Sequence, residues 1–394
     1  MTTYQQTHPW LTFQVDLARL AYTTWIRLGE AQSKCEHLSS VPLQPAYAQE
    51  LHQVYLAKGV LATTAIEGNT LTEQQVRQRI RGELSLPPSK AYLGQEVDNI
   101  LAACDAILRE MVTGDGPVNL SVDRVKAFNK LVLRDLPLDA DVVPGEIRAY
   151  PVGVGSYKAP EPADCRELLE KYCAWLNAFG VPGEDAILYG ILKAIIAHVY
   201  LVWIHPFGDG NGRTARLIEF QILLAHGVPS VAAQLLSNHY NETRTEYYRQ
   251  LDPASKNGGD LEPFIQYAVR GFVDELRAQI DMVDRQQLQV HWHDYIYDVF
   301  RDLDSTTDRR RRNLILDLTG QPDPVPLAKV RHVSPRMAEA YAGRSDKTVQ
   351  RDVDTLEGMK LVQRNERGEV AANIELMLAF QPARRVSPAA QTKR

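Results

Sequence analysis

The sequence predicts a mainly α-helical protein with a short β-hairpin and a small, basic C-terminal domain. Apolar residues recur at helical spacing along most of the 394 residues. One stretch, "GEIRAYPVGVGSYKAP" at 145–160, instead places Val, Ile and Tyr between Gly and Pro, which is typical of a short hairpin. Residues 309–394 hold 17 Lys or Arg and 10 Asp or Glu, whereas the remainder holds 27 and 39. This acidic body with a basic C-terminal part indicates that the C-terminal part meets a polyanion.

The length of the chain predicts two or three domains. We expect an N-terminal helical region, a helical core with the hairpin, a helical connector, the basic domain and a disordered polar tail, over 1–112, 113–283, 284–308, 309–380 and 381–394. The periodicity predicts helices near 12–30, 46–66, 72–83, 92–113, 122–132, 163–178, 185–203, 212–226, 241–251 and 261–283.

Location follows from three negative features. The four cysteines show neither CxxC spacing nor the density of a disulfide framework, and the N-terminus lacks the pattern of a signal peptide. The apolar stretch 187–204 is interrupted by Lys193 and His198, so we expect a buried core helix and no membrane span. The expected location is cytoplasmic.

The stretch "HPFGDGNGRTAR" at 205–216 has the composition of a phosphate site. Its glycines let backbone N–H groups face one point, and the apolar residues that follow begin a helix whose N-terminus favours anions. Arg213 and Arg216 add charge that can fork onto phosphate oxygens, and Asp209 suits a hard cation such as Mg²⁺. His205 has a pKa suited to general-base work. The alternative is a helix cap beside a lone surface histidine.

This stretch resembles the signature of the Fic family, His-x-Phe-x-Asp/Glu-Gly-Asn-Gly-Arg-x-x-Arg, with every fixed position matched. The resemblance, which extends from about residue 50 to 275, implies a mainly helical core with a β-hairpin flap that transfers AMP from ATP to a protein hydroxyl. It makes His205 the base and Phe207 the anchor of the loop. It assigns Mg²⁺ to Asp209. The implied phosphate ligands are Gly210, Asn211, Gly212, Arg213 and Arg216. Members that phosphorylate carry Lys at the position of Gly212, so this sequence favours nucleotidyl transfer.

Two further segments gain a role from the resemblance. The hairpin corresponds to the flap that aligns the target by strand addition, and its nucleotide-facing part is Val154, Gly155, Ser156 and Tyr157. "EYYRQL" at 246–251 is similar to the family's adenine-side segment, which implicates Tyr247 and, further on, Asn257. Ordinary helix packing is the alternative for Tyr247.

A second motif, "TTAIEGN" at 63–69, ends the helix that begins near residue 46. Thr70 and Glu73 are expected to form a capping box for the next helix. A carboxylate at the C-terminal end of a helix, as in Glu67, is slightly unfavourable unless a cation meets it, although a solvated glutamate costs little. The stretch matches the inhibitory pattern of the Fic family, Ser/Thr-x-x-x-Glu-Gly/Asn, which implies that Glu67 pairs with Arg216 and blocks the seat of the γ-phosphate.

The basic domain reads as helix, tight turn, second helix from Ser345, and two short strands around 367–368. Val349, Val353 and Leu356 form the buried face of the second helix. The pattern resembles a winged helix-turn-helix, and duplex DNA is the expected partner. Its candidate DNA contacts are Lys347, Thr348, Gln350 and Arg351. An interaction or dimerisation module on the same scaffold is the alternative.

Together these features predict an autoinhibited, Mg²⁺-dependent protein adenylyltransferase that modifies a Ser, Thr or Tyr hydroxyl of a target protein or of itself. Two alternatives remain. One is a DNA-binding transcriptional regulator whose nucleotide pocket senses a ligand, although a sensor has no need of a base at His205. The other is the reverse enzyme, in which Glu67 orients a water that removes AMP. A homodimer is a further expectation.

Overall fold

The computed structural model describes residues 3–114, 119–155, 157–180, 186–256 and 258–378. The chain divides into two units, Met1–Ile280 and Asp281–Arg394. The boundary between the units falls within one long helix, residues 262–299. The sequence predicts that the core ends nearby, at 283, and that a separate connector follows. The predicted disordered tail at 381–394 lies outside the described residues.

In the part of the chain that the structure describes, the first unit is helical apart from one hairpin, as the sequence predicts. Its elements, including the helix that continues into the second unit, are α1 (Thr3–Thr7), α2 (Tyr22–Ser40), α3 (Pro45–Ala65), α4 (Glu73–Ile80), α5 (Ala91–Thr113), α6 (Val122–Val132), β1 (Gly153–Val154), β2 (Tyr157–Lys158), α7 (Cys165–Ala178), α8 (Ala186–Ile204), α9 (Asn211–Ala225), α10 (Leu235–Glu242), α11 (Arg244–Lys256) and α12 (Glu262–Val299). The two strands pair antiparallel, with Val154 opposite Tyr157.

Helix α8 is the centre of this unit. It is long and apolar enough to cross a membrane by composition, with a mean hydropathy of 1.9, but 72% of it is buried inside the protein. Its residues 194–201 are all buried, and α8 packs against α2, α7 and α9. The expectation of a buried core helix is therefore confirmed. Because α8 ends at Ile204 and α9 begins at Asn211, the core fixes both ends of the motif at 205–216.

Three local predictions were wrong. The helix expected at 12–30 begins at Tyr22, because the side chain of Asp16 caps a separate 3₁₀ turn at Leu17–Arg19. The capping box is formed by Thr72 and Gln75 and not by Thr70 and Glu73, because α4 begins at Glu73 with Thr72 as its N-cap. The helix expected at 241–251 is two helices, α10 and α11. The connector, expected to be helical over 284–308, is helical as far as Val299, where α12 ends.

The second unit contains the end of α12 followed by α13 (Thr306–Thr319), β3 (Val325–Pro326), α14 (Pro335–Ala340), α15 (Asp346–Gly358), β4 (Val362–Arg364) and β5 (Glu369–Ala372). The three strands form an antiparallel sheet in the order β3-β5-β4. Val349, Val353 and Leu356 lie in its core as predicted. Because these residues recur on one face of α15, the opposite face is left for solvent.

A buried carboxylate ties the basic run to this core. Asp352 on α15 is 1% exposed and accepts hydrogen bonds from Nε of Arg310 at 2.7 Å and from Nε of Arg311 at 2.9 Å. The hydroxyl of Tyr341 donates to the same carboxylate at 3.1 Å. Arg310 and Arg311, within the Arg309–Arg312 run, therefore stabilise the fold of the second unit, because a buried carboxylate requires paired cations.

Candidate active site

The loop between α8 and α9 forms one wall of a cavity of about 520 Å³. The other walls come from the end of α3, the hairpin and α11. The cavity is lined by Glu67, Val154, Gly155, Tyr157, Val202, Trp203, His205, Gly208, Asp209, Gly210, Asn211, Gly212, Tyr247, Tyr248, Leu251 and Asp252. A mononucleotide-sized ligand fits such a volume.

His205 is held in a defined orientation at the start of this loop. Its backbone takes φ +46°, an uncommon conformation for a residue with a Cβ, while its N–H still donates to the Leu201 carbonyl at 2.9 Å. Nδ1 lies 3.1 Å from the Val202 carbonyl, which can only accept, so Nδ1 carries the proton and Nε2 keeps its lone pair. Burial lowers the pKa of His205, and the nearby Arg148 charge adds to this effect. The imidazole is therefore neutral near pH 7 and able to accept a proton.

The glycine turn brings the N-terminus of α9 to the cavity. Gly210 takes φ +75° as the N-cap, and Asn129 and Leu133 approach it so closely that a Cβ would crowd them. The side chain of Asn211 bonds the backbone of Phe207 twice, accepting from its N–H at 3.0 Å and donating to its carbonyl at 2.9 Å. Phe207 is 1% exposed and anchors the loop as predicted. The first N–H groups of α9, which have no partner within the helix, consequently face an anion site.

A carboxylate of the protein lies over this anion site. Arg216 is buried on α9, and its guanidinium NH2 donates to Oε1 of Glu67 at 2.5 Å and to the Thr63 carbonyl at 3.0 Å. A Cβ on Gly212 would overlap the Glu67 carboxylate. Burial alone would raise the pKa of Glu67, but the charge and hydrogen bond of Arg216 outweigh it, so this pKa lies below its usual value. Glu67 is therefore an anion held at a helix N-terminus.

Arg213 is engaged by two other carboxylates. Its NH1 donates to Glu96 Oε1 at 2.9 Å, and its NH2 donates to both oxygens of Asp209 at 3.1 and 3.2 Å. The second oxygen of Glu96 accepts from Asn69 Nδ2 at 2.7 Å. The Arg213 side chain is 6% exposed and is not among the residues that line the cavity. The predicted role in phosphate binding would have placed it there.

Asp209 is the residue that could hold a metal ion. Its side chain is 47% exposed and lines the cavity. Among the residues that the structure describes, no three His, Cys, Asp or Glu side chains are grouped to bind a metal by themselves. Mg²⁺ characteristically combines one or two carboxylates with phosphate oxygens and waters, so a single accessible carboxylate beside an anion site fits this ion.

The hairpin is tied to the loop by Arg148, which sequence reasoning missed. This buried side chain donates to the carbonyls of His205, Tyr150 and Pro160 at 2.8, 2.9 and 2.6 Å. The hydroxyl of Tyr157 donates to the Trp203 carbonyl at 2.6 Å and fixes the second strand to α8. Only the position of Arg148 within the stretch 145–160, five residues before β1, could have indicated its role.

The far side of the cavity rests on a buried polar cluster. Tyr247 is 2% exposed, and its hydroxyl lies 2.9 Å from Nε2 of His198. His198 Nδ1 lies 3.6 Å from Glu219, which also accepts from Tyr240 at 3.0 Å. Burial raises the pKa of Glu219 to about 8 and lowers that of His198 to about 3, so both are neutral near pH 7. The structure thus supports the interpretation of His198 as a core histidine and places Tyr247 at the ligand cavity as well.

The structure brings most of the predicted site residues to one cavity. His205, Asp209, Gly212 and the hairpin residues line it, together with Glu67. Arg216 lies behind Glu67, in contact with it. Ser156 and Asn257 lie outside the described residues. Residues that sequence reasoning missed are Arg148, Asn129, Glu96, Trp203, Tyr248 and Asp252.

Comparison with known proteins agrees with this geometry. Residues 119–223 match the Fic/DOC family. These residues form a Fic domain. They include α6, the hairpin, α7, α8 and α9, and therefore both His205 and the anion site.

Curated relatives and solved structures extend the similarity beyond the Fic domain. The chain is 34% identical over 212 residues to protein adenylyltransferase fic-1 of Caenorhabditis briggsae, covering 54% of this chain and 38% of the relative. It is 28% identical over 243 residues to protein adenylyltransferase Fic of Nematostella vectensis, covering 62% and 53%. The chain thus spans about half or less of the length of these relatives.

Two solved structures share the fold. A Fic family protein from Desulfovibrio desulfuricans aligns with a TM-score of 0.54 at 21% identity, covering 91% of this chain and 97% of its own. A Fic-1 fragment from C. elegans aligns with a TM-score of 0.53 at 28% identity, covering 67% and 74%. The mainly helical Fic-type fold predicted from the sequence is confirmed.

Proposed function

We propose that the protein is an adenylyltransferase that transfers AMP from ATP to a Ser, Thr or Tyr hydroxyl of a protein, including itself. The observation that carries the proposal is the neutral His205, with Nε2 available, beside a helix N-terminus that selects phosphate. The relatives named protein adenylyltransferase support it.

The reaction follows from these groups. Nε2 of His205 takes the proton of the attacking hydroxyl as its oxygen bonds the α-phosphorus. The bond from that phosphorus to the bridging oxygen breaks, and pyrophosphate leaves. The N–H of Gly212, in the first turn of α9, meets charge on the phosphate oxygens without reorganisation, because α9 fixes it in place. The N–H of Gly210 donates to Oδ1 of Asp209 at 2.5 Å in this structure. Mg²⁺ held by Asp209 would supply further neutralisation of phosphate charge.

The hairpin offers a way to hold the target. It is a two-stranded ribbon whose β1 is exposed along Gly153–Val154. An extended segment of a target protein can add to such an edge through main-chain hydrogen bonds and so place its hydroxyl near His205. Arg148 fixes the hairpin to the same loop that carries the base, which keeps the target and the base in register.

His205→Ala tests the catalytic proposal. The variant should lose AMP transfer, by the factor of about 10²–10⁴ typical of a general base, while ATP affinity persists because the phosphate site is intact. Labelled ATP, GTP, CTP and UTP with an intact-mass readout would define the nucleotide at the same time. Transfer near the wild-type rate by a folded His205→Ala protein would remove His205 from the mechanism.

We further propose that Glu67 makes the enzyme autoinhibited. Its carboxylate occupies a helix N-terminus and the Arg216 guanidinium, the two groups best suited to an outer phosphate of ATP. The sensor alternative is less favoured because His205 lines the cavity, and a sensor has no need of a base there. The reverse reaction, with Glu67 orienting a water, is distinguished by the loss of AMP from a modified protein.

The second unit carries a second proposal, binding of duplex DNA by a winged helix-turn-helix. The order of α14, a turn at Gly343, α15 and the β4–β5 strands supports it. Lys347 and Arg351 are exposed on α15, whereas Thr348 and Gln350 are partly buried, and Gln350 donates to Asp354.

Salt dependence tests the DNA proposal. If Lys347 and Arg351 neutralise phosphates, replacing each by alanine should reduce the slope of log affinity against log salt by about 0.9. Arg166→Ala, which removes an exposed charge from α7 of the first unit, is the control and should leave the slope unchanged. Affinity independent of salt would favour the protein-contact alternative. A homodimer and a cytoplasmic location stay predictions, testable by light scattering and cell fractionation.

A further inference from the structure

The carboxylate of Glu96 joins two parts of the site that the motifs leave separate. Glu96 lies on α5, outside both motifs, and its side chain is only 15% exposed. One of its oxygens accepts from Arg213 and the other from Asn69, two residues after Glu67. Asn69 is itself fixed, because it donates to the Leu93 carbonyl at 3.0 Å.

The Arg213 end of this chain of contacts reaches Asp209, whose Oδ1 also accepts from the N–H of Gly210 at 2.5 Å. NH2 of Arg213 contacts both Asp209 oxygens, so the guanidinium competes with any cation for this carboxylate. Glu96 meets the same guanidinium through NH1 and offsets its charge. Without the negative charge of Glu96, Arg213 would hold Asp209 more strongly and repel a metal ion more strongly.

We infer that Glu96 is a positioning residue that keeps Asp209 available to Mg²⁺ by holding the guanidinium of Arg213. Through Asn69, Glu96 also connects Arg213 and Asp209 to the segment that carries Glu67. The inference rests on the proposed function only in taking the cavity to be a site for a nucleotide with Mg²⁺. It assigns Arg213 to the organisation of Asp209 and not to a direct phosphate contact.

The two effects of removing this charge have opposite signs, which makes the inference testable. Glu96→Gln keeps the size of the side chain but removes one negative charge near phosphate. ADP affinity without metal should therefore stay the same or rise. The gain in ADP affinity on adding Mg²⁺ should shrink by about tenfold, since a cation now competes with a less neutralised Arg213. A merely destabilised site would instead weaken both measurements.

Calorimetric titration of the full-length protein with ADP, in Mg²⁺ or in EDTA, gives both numbers. Asp98→Asn is the matched control, because Asp98 lies on the same helix and loses an equivalent pair with Arg79 outside the cavity. It should change neither affinity. Restoring the carboxylate on a shorter side chain, in Glu96→Asp, should recover part of the Mg²⁺ effect.

The Asn69 contact is tested in the background of Glu67. Asn69→Ser should raise ATP affinity, because it loosens the segment that holds Glu67 over the seat of the γ-phosphate, and this gain should vanish in Glu67→Gly. The inference is overturned if adding Mg²⁺ raises ADP affinity by the same factor in wild type and in Glu96→Gln. It is also overturned if Mg²⁺ does not change the ADP affinity of the wild-type protein. Loss of AMP transfer with Mg²⁺-dependent ADP binding intact would contradict the transferase proposal alone.

Discussion

Replacing Glu67 by glycine should make the protein more active and less stable at the same time. Both effects come from one contact, the 2.5 Å hydrogen bond between Arg216 NH2 and Glu67 Oε1. A hydrogen bond to a charged group contributes about 1.5–3 kcal/mol net, and each 1.4 kcal/mol is about a factor of ten. We therefore expect AMP transfer to rise by about 10- to 100-fold once ATP no longer competes with the carboxylate.

The stability cost follows from the burial of Arg216. Its side chain is 1% exposed, and its Nε and NH1 have no hydrogen-bond partner among the described residues. Removing Glu67 leaves this cation with the Thr63 carbonyl, which should cost about 1–3 kcal/mol. In a unit of this size the melting temperature falls by roughly 2–4 °C per kcal/mol. Saturating ATP with Mg²⁺ should recover the loss, because phosphate replaces the missing carboxylate.

The assay is auto-modification followed by intact mass, with thermal unfolding of the same samples. Glu67→Gln is the matched control: it keeps the volume and one acceptor for Arg216, so both effects should be smaller. Adding Arg216→Ala to Glu67→Gly should cancel the gain. The reasoning is refuted by a folded, ATP-binding Glu67→Gly protein that transfers AMP no faster than wild type.

Two further predictions concern buried carboxylates away from the phosphate site. The folded protein keeps a proton on Glu219 up to about pH 8, whereas an unperturbed glutamate releases it near 4.5, so the free energy of unfolding should fall as pH rises between these values. In Glu219→Gln, thermal unfolding should show a smaller fall in stability as pH rises from about 4.5 to 8. The loss of stability below about pH 6.5, where the unfolded chain protonates His198, should remain in this variant. Curves of stability against pH that run parallel in wild type and variant would contradict the protonation assigned to Glu219. Asp352→Ala should destabilise the second unit by about 3–5 kcal/mol, because it strands buried Arg310, and calorimetry should show the transition of that unit lowered while ADP affinity is unchanged; an unchanged transition would contradict a structural role for the pair.

The sequence was most informative where chemistry and local geometry coincide. The motif at 205–216 predicted the loop and the helix after it, because glycine permits the positive φ that the turn requires and proline fixes its own φ. The end of α9 was also predictable, since Gly227 takes φ +87° directly after it. Boundaries were less predictable: Thr70 and Thr72 are both good N-caps by composition, and packing of the buried Leu71 between them is a tertiary property.

Contacts distant in sequence could not be predicted from the residues alone. Arg148 and Glu96 belong to no periodic pattern. Arg148 contacts His205, 57 residues away, and Glu96 contacts Arg213, 117 residues away. The pairing of Glu67 with Arg216, 149 residues apart, was expected only through the Fic resemblance, and the structure brings the two together. A lone charged residue gives no local signal of its partner, so such positions emerge only from the fold.

The charges of the site indicate that the proposed nucleotide would bind by exchanging contacts with the protein's own side chains. Three carboxylates, from Glu67, Glu96 and Asp209, meet the guanidinium groups of Arg213 and Arg216. Under the proposed function, a nucleotide with Mg²⁺ would add little net attraction unless it displaced one of these contacts, with phosphate replacing Glu67 at Arg216 and Mg²⁺ replacing Arg213 at Asp209. The affinity for the nucleotide would then reflect the difference in free energy between the free site, with its internal ion pairs, and the site with nucleotide and Mg²⁺ bound. If Glu67 inhibits the site as proposed, a change that moves the segment after α3 away from Arg216 should raise AMP transfer without unfolding the site.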